Sequence, residues 1–236
     1  MGGFEYAPDL IERFPATTGG VIHARAVVNG VTPPELVSEY REEHERVKAW
    51  LGDTPLSEIP EIAAWRRTFR EFGVDPTKYR SAIEALLRRL GKQGDIPSIN
   101  AMVDMANLVS IRHRLPVAVF DQGPVSGVTT VRFAHGDEAF TDLGSEEVSN
   151  PEPGEVIFVD EEGLVSARRW CWRQSAQSAA GPGTNEVVIT VEGQHETAPA
   201  QVAVAVDELL GLLARHQPDA VSTSAMLHFD SPSFVF

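Results

Sequence analysis

Apolar positions along this chain change their spacing near residue 115. Before it they mostly recur every three or four residues, as on one face of a helix, and after it they alternate, as along a strand. The exception in the first part is VIHARAVVNG at 21–30. Its alternation predicts a strand with Val21, His23, Arg25 and Val27 on one face and Ile22, Ala24 and Ala26 on the other. Thr32 before Pro33 marks a helix start, and Leu36, Tyr40, Val47 and Leu51 carry that helix to Gly52. A second helix, from near Ser57, holds Ile62, Trp65 and Phe69 and stops at Gly73. After a turn at Asp75 and Pro76, a third places Ala82, Ile83, Leu86, Leu87 and Leu90 inward and ends at Gly91. Residues 1–92 thus read as mainly helical.

From residue 97, PSINAMVDMANLVSIRH predicts a helix with Ile99, Met102, Val103, Ala106 and Val109 on its apolar side. Asn100, Asp104 and Asn107 share one face of it, as solvated groups or as contacts to a common neighbour. PVAVFD, VTTVRFA, GEVIFVD, VSARRWCWRQ and EVVITVEG then predict strands separated by Gly, Asp and Pro turns, and AVAVDELLGLLARH a closing helix. This order predicts an α+β fold of mixed β-sheets with flanking helices. Residues 1–55 read as an N-terminal strand and helix extension, and 56–236 as the main domain. The GPG at 181–183 is too short for a phosphate-binding fingerprint, and no cofactor is expected.

Composition narrows the function. With 42% hydrophobic and 23% charged residues, the chain can build an ordinary core. No apolar run approaches the ~18 residues of a membrane span, and MGGFEYAPDLIERF has acids where a signal peptide is basic and apolar. A cytoplasmic location is expected. One cysteine excludes an intrachain disulfide, and the seven histidines show no metal-ligand spacing, so no metal is expected. A net charge of −14 disfavours binding a polyanion through overall charge. One island runs the other way: between 66 and 92, Arg66, Arg67, Arg70, Lys78, Arg80, Arg88, Arg89 and Lys92 face only Glu71, Asp75 and Glu84. It is either a solvated helix face or a nucleic-acid contact.

The candidate chemistry centres on RRWCWRQS at 168–175. A continuous strand over 165–174 would put Arg169, Cys171 and Arg173 on one face and Trp170, Trp172 and Gln174 on the other. Two guanidiniums beside the thiol would favour its thiolate, although a lone strand cysteine more often acts as a small hydrophobe. The arginines, roughly 13 Å apart on such a strand, suit a carboxylate or phosphate. Asp121, Asp160 and Glu192 end strands and are candidate pocket walls or turn residues.

INAMVDMANLVSIRHRLPVAVFD, VRFAHGDEAFTDLG, EVIFVD and TNEVVITVEG, in that order, resemble the B3/B4 domain of the phenylalanyl-tRNA synthetase β subunit. With FGVDPTKYRSAIEALLRRL and RRWCWRQS, the chain is similar to free-standing B3/B4 proteins over about residues 60–215. The resemblance implies a B3/B4-like fold and, from the synthetase, hydrolysis of tRNA mischarged with tyrosine. It places the family's pocket asparagine on Asn107 and the glutamate that reads the tyrosine hydroxyl on Glu192. Ala106 stands where the family has threonine, Ala118 where it has histidine, and RRWCWRQS where it has a glycine-rich wall. These departures point away from tyrosine and toward another aminoacyl or carboxylate-bearing ligand.

Three functions follow as expectations. The first is editing of an aminoacyl-tRNA in trans, by ester hydrolysis or related quality control. In that reading Asn107, Arg169, Trp170, Trp172, Arg173, Gln174 and Glu192 bind the ligand, and Arg66, Arg67, Arg70, Lys78 and Arg80 meet the tRNA. No catalytic side chain is assigned. The second is a non-catalytic module for a small acidic metabolite or a protein partner. The third, a hydrolase dependent on Cys171, needs a histidine such as His135 or His195 nearby in space.

Overall fold

The computed structural model describes residues 2–236. In chain order its elements are β1 (Gly3–Tyr6), α1 (Pro8–Arg13), β2 (Thr18–Arg25), α2 (Pro34–Leu51), α3 (Pro60–Glu71), α4 (Ala82–Gln93) and α5 (Ala101–His113). Then come β3 (Val117–Asp121), β4 (Val128–Phe133), β5 (Phe140–Thr141), β6 (Val148–Ser149), β7 (Val156–Val159), β8 (Val165–Arg168) and β9 (Arg173–Gln174). The chain finishes with β10 (Glu186–Gly193), α6 (Ala198–His216), β11 (Val221–Leu227) and β12 (Ser233–Val235). A six-stranded sheet runs β12-β1-β4-β7-β8-β9 and a four-stranded sheet β11-β2-β10-β3, with β5 and β6 paired separately. The parallel β1–β4 pairing among antiparallel neighbours makes the larger sheet mixed. The fold is α+β.

Alternation along β10 explains how the layers meet. Val187, Ile189 and Val191 join the core shared with helices α2, α4, α5 and α6, while Val188 turns to a second core rich in aromatic rings. Phe4, Tyr6, Trp65, Phe69, Phe120, Phe158 and Trp170 fill that second core, between the sheets. Thr190 and Glu192 lie two and four residues beyond Val188, so they share its face. The same rule sorts Ile22 and Ala24 from Val21 in β2.

Several expectations need correction. Residues 1–92 are mainly helical, but beside the expected strand, β2 in the smaller sheet, they hold one the pattern did not mark, β1 in the larger. The segment 1–55 thereby shares both sheets with 56–236. The third helix passes Gly91 and ends at Gly94, which takes the left-handed cap with φ 81°. Ile99 lies before its helix and is exposed, because Asn100 is the N-cap and its side chain accepts from Val103 N at 3.0 Å. Two strands follow α6, which is therefore not the closing element. The predicted strand over 165–174 is broken: Arg169 and Trp170 take φ of 46° and 61°, and 169–172 form a turn between β8 and β9. Alternation of faces requires extended backbone, so the two-face sorting of RRWCWRQS does not hold.

Candidate functional site

The turn at 169–172 drives Trp170 inward until it is fully buried against Phe14 and Trp65, with ring centroids 5.4 Å away in each case. Its backbone N–H donates to the Val156 carbonyl at 2.7 Å, and its indole N–H donates to Glu192 Oε1 at 2.9 Å. Tyr6 donates its hydroxyl to the same oxygen at 2.7 Å. Gly19 faces Glu192 across the β2–β10 pair, and a Cβ there would lie 2.2 Å from the Tyr6 hydroxyl. A glycine at that strand position is what admits the phenol. Burial raises the Glu192 pKa to about 7, with the two donors opposing the rise. Burial, followed by the Glu192 charge, pushes the Tyr6 phenol up as well.

Glu192, Thr190, Ala118, Trp170, Cys171 and Trp172 line one small chamber, which also touches Arg173 and Gln174. Its volume is about 90 Å³ and its wall is mostly apolar. Gln174 is tied to the wall, donating to the Val119 and Ser178 carbonyls at 2.5 and 3.0 Å. The Cys171 carbonyl accepts from Ala82 N at 2.7 Å, fixing the turn to the start of α4. Burial, and then the Glu192 charge, push the Cys171 thiol well above its usual range. No histidine lines the chamber; His195 instead pairs with Gln201 and His135 is exposed. The arrangement gives the thiol no base, so the structure offers the cysteine hydrolase nothing.

Beside the chamber lies a basic groove of about 430 Å³. Lys78, Arg80, Arg88, Arg89 and Lys92 line it, and Trp172 and Arg173 belong to both spaces. Arg169 lies beneath, with its guanidinium 3.9 Å from the Tyr79 ring centroid and 4.6 Å from that of Trp172. It also pairs with Glu155 at 2.5 Å, and burial lowers its pKa. Arg173 packs on the Trp172 ring at 4.9 Å and pairs with Asp142 at 2.7 Å. Both arginines therefore fix Trp172 from their own ion pairs.

The expected ligand residues thus fall into two groups. Trp170, Trp172, Arg173, Gln174 and Glu192 meet at the chamber, whereas Asn107 lies on α5 and Arg169 under the rim, neither of them lining it. Among the expected tRNA residues, Lys78 and Arg80 line the groove. Arg66 turns to Glu84 at 2.7 Å and to the Pro76 carbonyl at 3.2 Å, and Arg67 and Arg70 are exposed on α3 outside the groove. Asp121 and Asp160 are turn residues, accepting from Gly123 N and from Ser126, Glu162 and Leu164 N respectively. Asp104 is buried and accepts from Thr32 and from Ile99 N, so it staples the helix start. His135, Asp137 and Glu138 approach one another, but Glu138 is already held by Arg132 at 2.5 Å and by backbone N–H groups.

The sequence pattern missed Tyr6 and Thr190 as site residues, and it placed in the basic island, without singling them out as tRNA contacts, Arg88, Arg89 and Lys92. The last three had a usable signal, since 85, 88, 89 and 92 recur on one helix face. Tyr6 had none, standing 186 residues from Glu192.

A model of the B3/4 domain matches residues 64–216. The chain belongs to the B3/4 domain family. This B3/4 chain is similar to the phenylalanine–tRNA ligase β subunit of Neisseria meningitidis serogroup B (strain ATCC BAA-335 / MC58), at 33% identity over 102 residues. That match covers 43% of this chain and 12% of the ligase subunit. In structure it is similar to an N-terminal fragment of the phenylalanyl-tRNA synthetase β subunit from Pyrococcus horikoshii, with a TM-score of 0.48 and 11% identity. The superposition covers 95% of this chain and 54% of that one. The B3/4 chain therefore spans only part of either relative. Among its described residues, no helix is long and apolar enough to cross a membrane.

Proposed function

We propose that this B3/4 protein acts in the cytoplasm on an aminoacyl-tRNA in trans, holding the acyl group in the chamber and the nucleic-acid end in the basic groove. One observation carries the reading: a small, mostly apolar chamber lined by the buried Glu192 carboxyl shares Trp172 and Arg173 with a groove lined by five further cations. An acyl group joined to a phosphate chain has that same division of apolar and anionic parts. The family relationship to a tRNA ligase subunit supports it.

The chemistry is hydrolysis of an ester. Water adds to the acyl carbon, the bond from that carbon to the ribose oxygen breaks, and the oxygen leaves with a proton as a hydroxyl. The buried thiol supplies no nucleophile, so the protein's part is to hold the ester still and to place donors around the developing oxyanion. The direct test is deacylation across a panel of mischarged tRNAs. At least one should be hydrolysed well above its spontaneous rate, and none above that rate overturns the proposal.

A binding module without catalysis is the second reading. Ala118 at the chamber wall, where the resemblance places a histidine, and the net charge of −14 favour it. Thermal-shift measurements distinguish the two, since a ligand that binds only the native state raises Tm. Stabilisation by a small acidic metabolite, with none by tRNA, favours the module.

A further inference from the structure

We infer that the chamber accepts an uncharged side chain of about three non-hydrogen atoms and excludes an aromatic ring, an inference that rests on the chamber being the acyl site. The size decides it. A dry cavity of ~150 Å³ holds benzene, and one water's share of liquid volume is ~30 Å³. The chamber offers about 90 Å³, room for alanine, serine, threonine or valine side chains and too little for phenylalanine or tyrosine.

One wall of the chamber cannot swing away to enlarge it. Trp170 is held at both ends, by its backbone bond to Val156 and its indole bond to Glu192. Its ring is packed against Phe14, Trp65 and Phe72. Vacating that place for a larger ligand would strand the Glu192 carboxyl and open a hole in the aromatic core, two separate penalties.

The hydrogen bonding points the same way. Glu192 Oε1, the acceptor that could read a ligand hydroxyl deep in the chamber, already takes the Tyr6 and Trp170 donors. The chain's own phenol and indole occupy the interaction that a hydroxylated aromatic ligand would make. No protein donor reaches the second Glu192 oxygen among the described residues, and the Thr190 hydroxyl has no side-chain hydrogen bond there. Those two groups suit a short alkyl or hydroxyl-bearing side chain. A carboxylate would face the buried Glu192 carboxyl, where burial already opposes a negative charge.

The test uses the full chain and non-hydrolysable 3′-aminoacylamino-adenosines bearing alanine, serine, threonine, valine, phenylalanine or tyrosine. Calorimetric binding should favour the four small analogues over the two aromatic ones by ~10-fold or more, since one extra methylene can cost 10-fold in a hydrophobic pocket. Equal or tighter binding of the aromatic analogues overturns the inference, and so does binding of none. Ala118→Leu, which adds bulk to the chamber wall, should weaken the small analogues by a similar factor while thermal unfolding stays cooperative. Undiminished binding by that variant also overturns the inference. Intact aminoacyl-tRNAs separate the two ideas. If the small analogues bind but no tRNA is bound or deacylated, the tRNA reading falls and the size limit stands. If tRNA carrying tyrosine or phenylalanine is deacylated, the size limit falls and the tRNA reading stands.

Discussion

A carboxyl group closed in by a phenol and an indole makes a strong pH signature. Glu192 has its pKa raised to about 7 from an ordinary value of 4.5. Below pH 4.5 both the folded and unfolded chains hold the proton, and the group costs nothing. Between 4.5 and 7 the folded chain holds it and the unfolded chain releases it, so raising the pH removes stability, up to roughly 3 kcal/mol. Glu192→Gln keeps an oxygen to accept from Tyr6 and Trp170 and has no proton to lose. The variant should gain on the parent as pH rises from 4.5 to 7, with the difference flat above, as followed by urea unfolding at several pH values. A constant difference across that range would remove Glu192 as the cause. Gly19 offers a second test, because a Cβ there would lie 2.2 Å from the Tyr6 hydroxyl. Gly19→Ala should cost ~1–3 kcal/mol in the same assay, the usual penalty for overpacking. At this scale the sequence disclosed Glu192 through its place at the end of an apolar strand and through the family resemblance. It could not disclose Tyr6, because a contact across 186 residues leaves no local pattern.

Among the elements, α4 and the turn at 169–172 make the site, and they differ in how well they could be foreseen. The basic face of α4 follows from helical spacing alone, with Arg88, Arg89 and Lys92 on the side away from Ile83, Leu87 and Leu90. The turn was hidden because alternation assumes extended backbone, and two consecutive left-handed residues that are not glycine give no compositional cue. β11 escaped for another reason. VSTSAML is an edge strand with mostly exposed side chains, so no apolar face marks it. The α4 face carries its own prediction under the tRNA reading. Reversing Arg88, Arg89 and Lys92 to glutamate should weaken tRNA binding, and should lower the slope of log K against log salt by about 2 to 3, since each phosphate contact contributes ~0.7–0.9. Filter binding at several salt concentrations measures it. An unchanged slope would take the phosphate chain out of this groove.

For the whole molecule, the question is what the N-terminal residues do for a site whose other parts lie beyond residue 77. β1 lies between β12 and β4, inside the six-stranded sheet, and Phe4, Tyr6, Leu10, Ile11 and Phe14 are buried in the aromatic core. Fully burying a large apolar side chain contributes about 1.5–3 kcal/mol. Five of them rival the entire net stability of a typical domain, ~5–15 kcal/mol. Deleting residues 1–17 also exposes the edge of β4 and removes the Thr17 hydroxyl that accepts from buried Gln194 at 2.9 Å. The shortened chain should therefore lose its cooperative thermal transition and the near-UV circular dichroism of packed aromatic side chains such as Trp65 and Trp170. If it unfolds cooperatively with a Tm near that of the parent, β1 is an accessory and the chamber floor does not depend on Tyr6. If cooperativity is lost, the chamber is a product of the whole chain: its floor needs a phenol from the first strand and a carboxyl from the tenth, and neither segment holds the site alone.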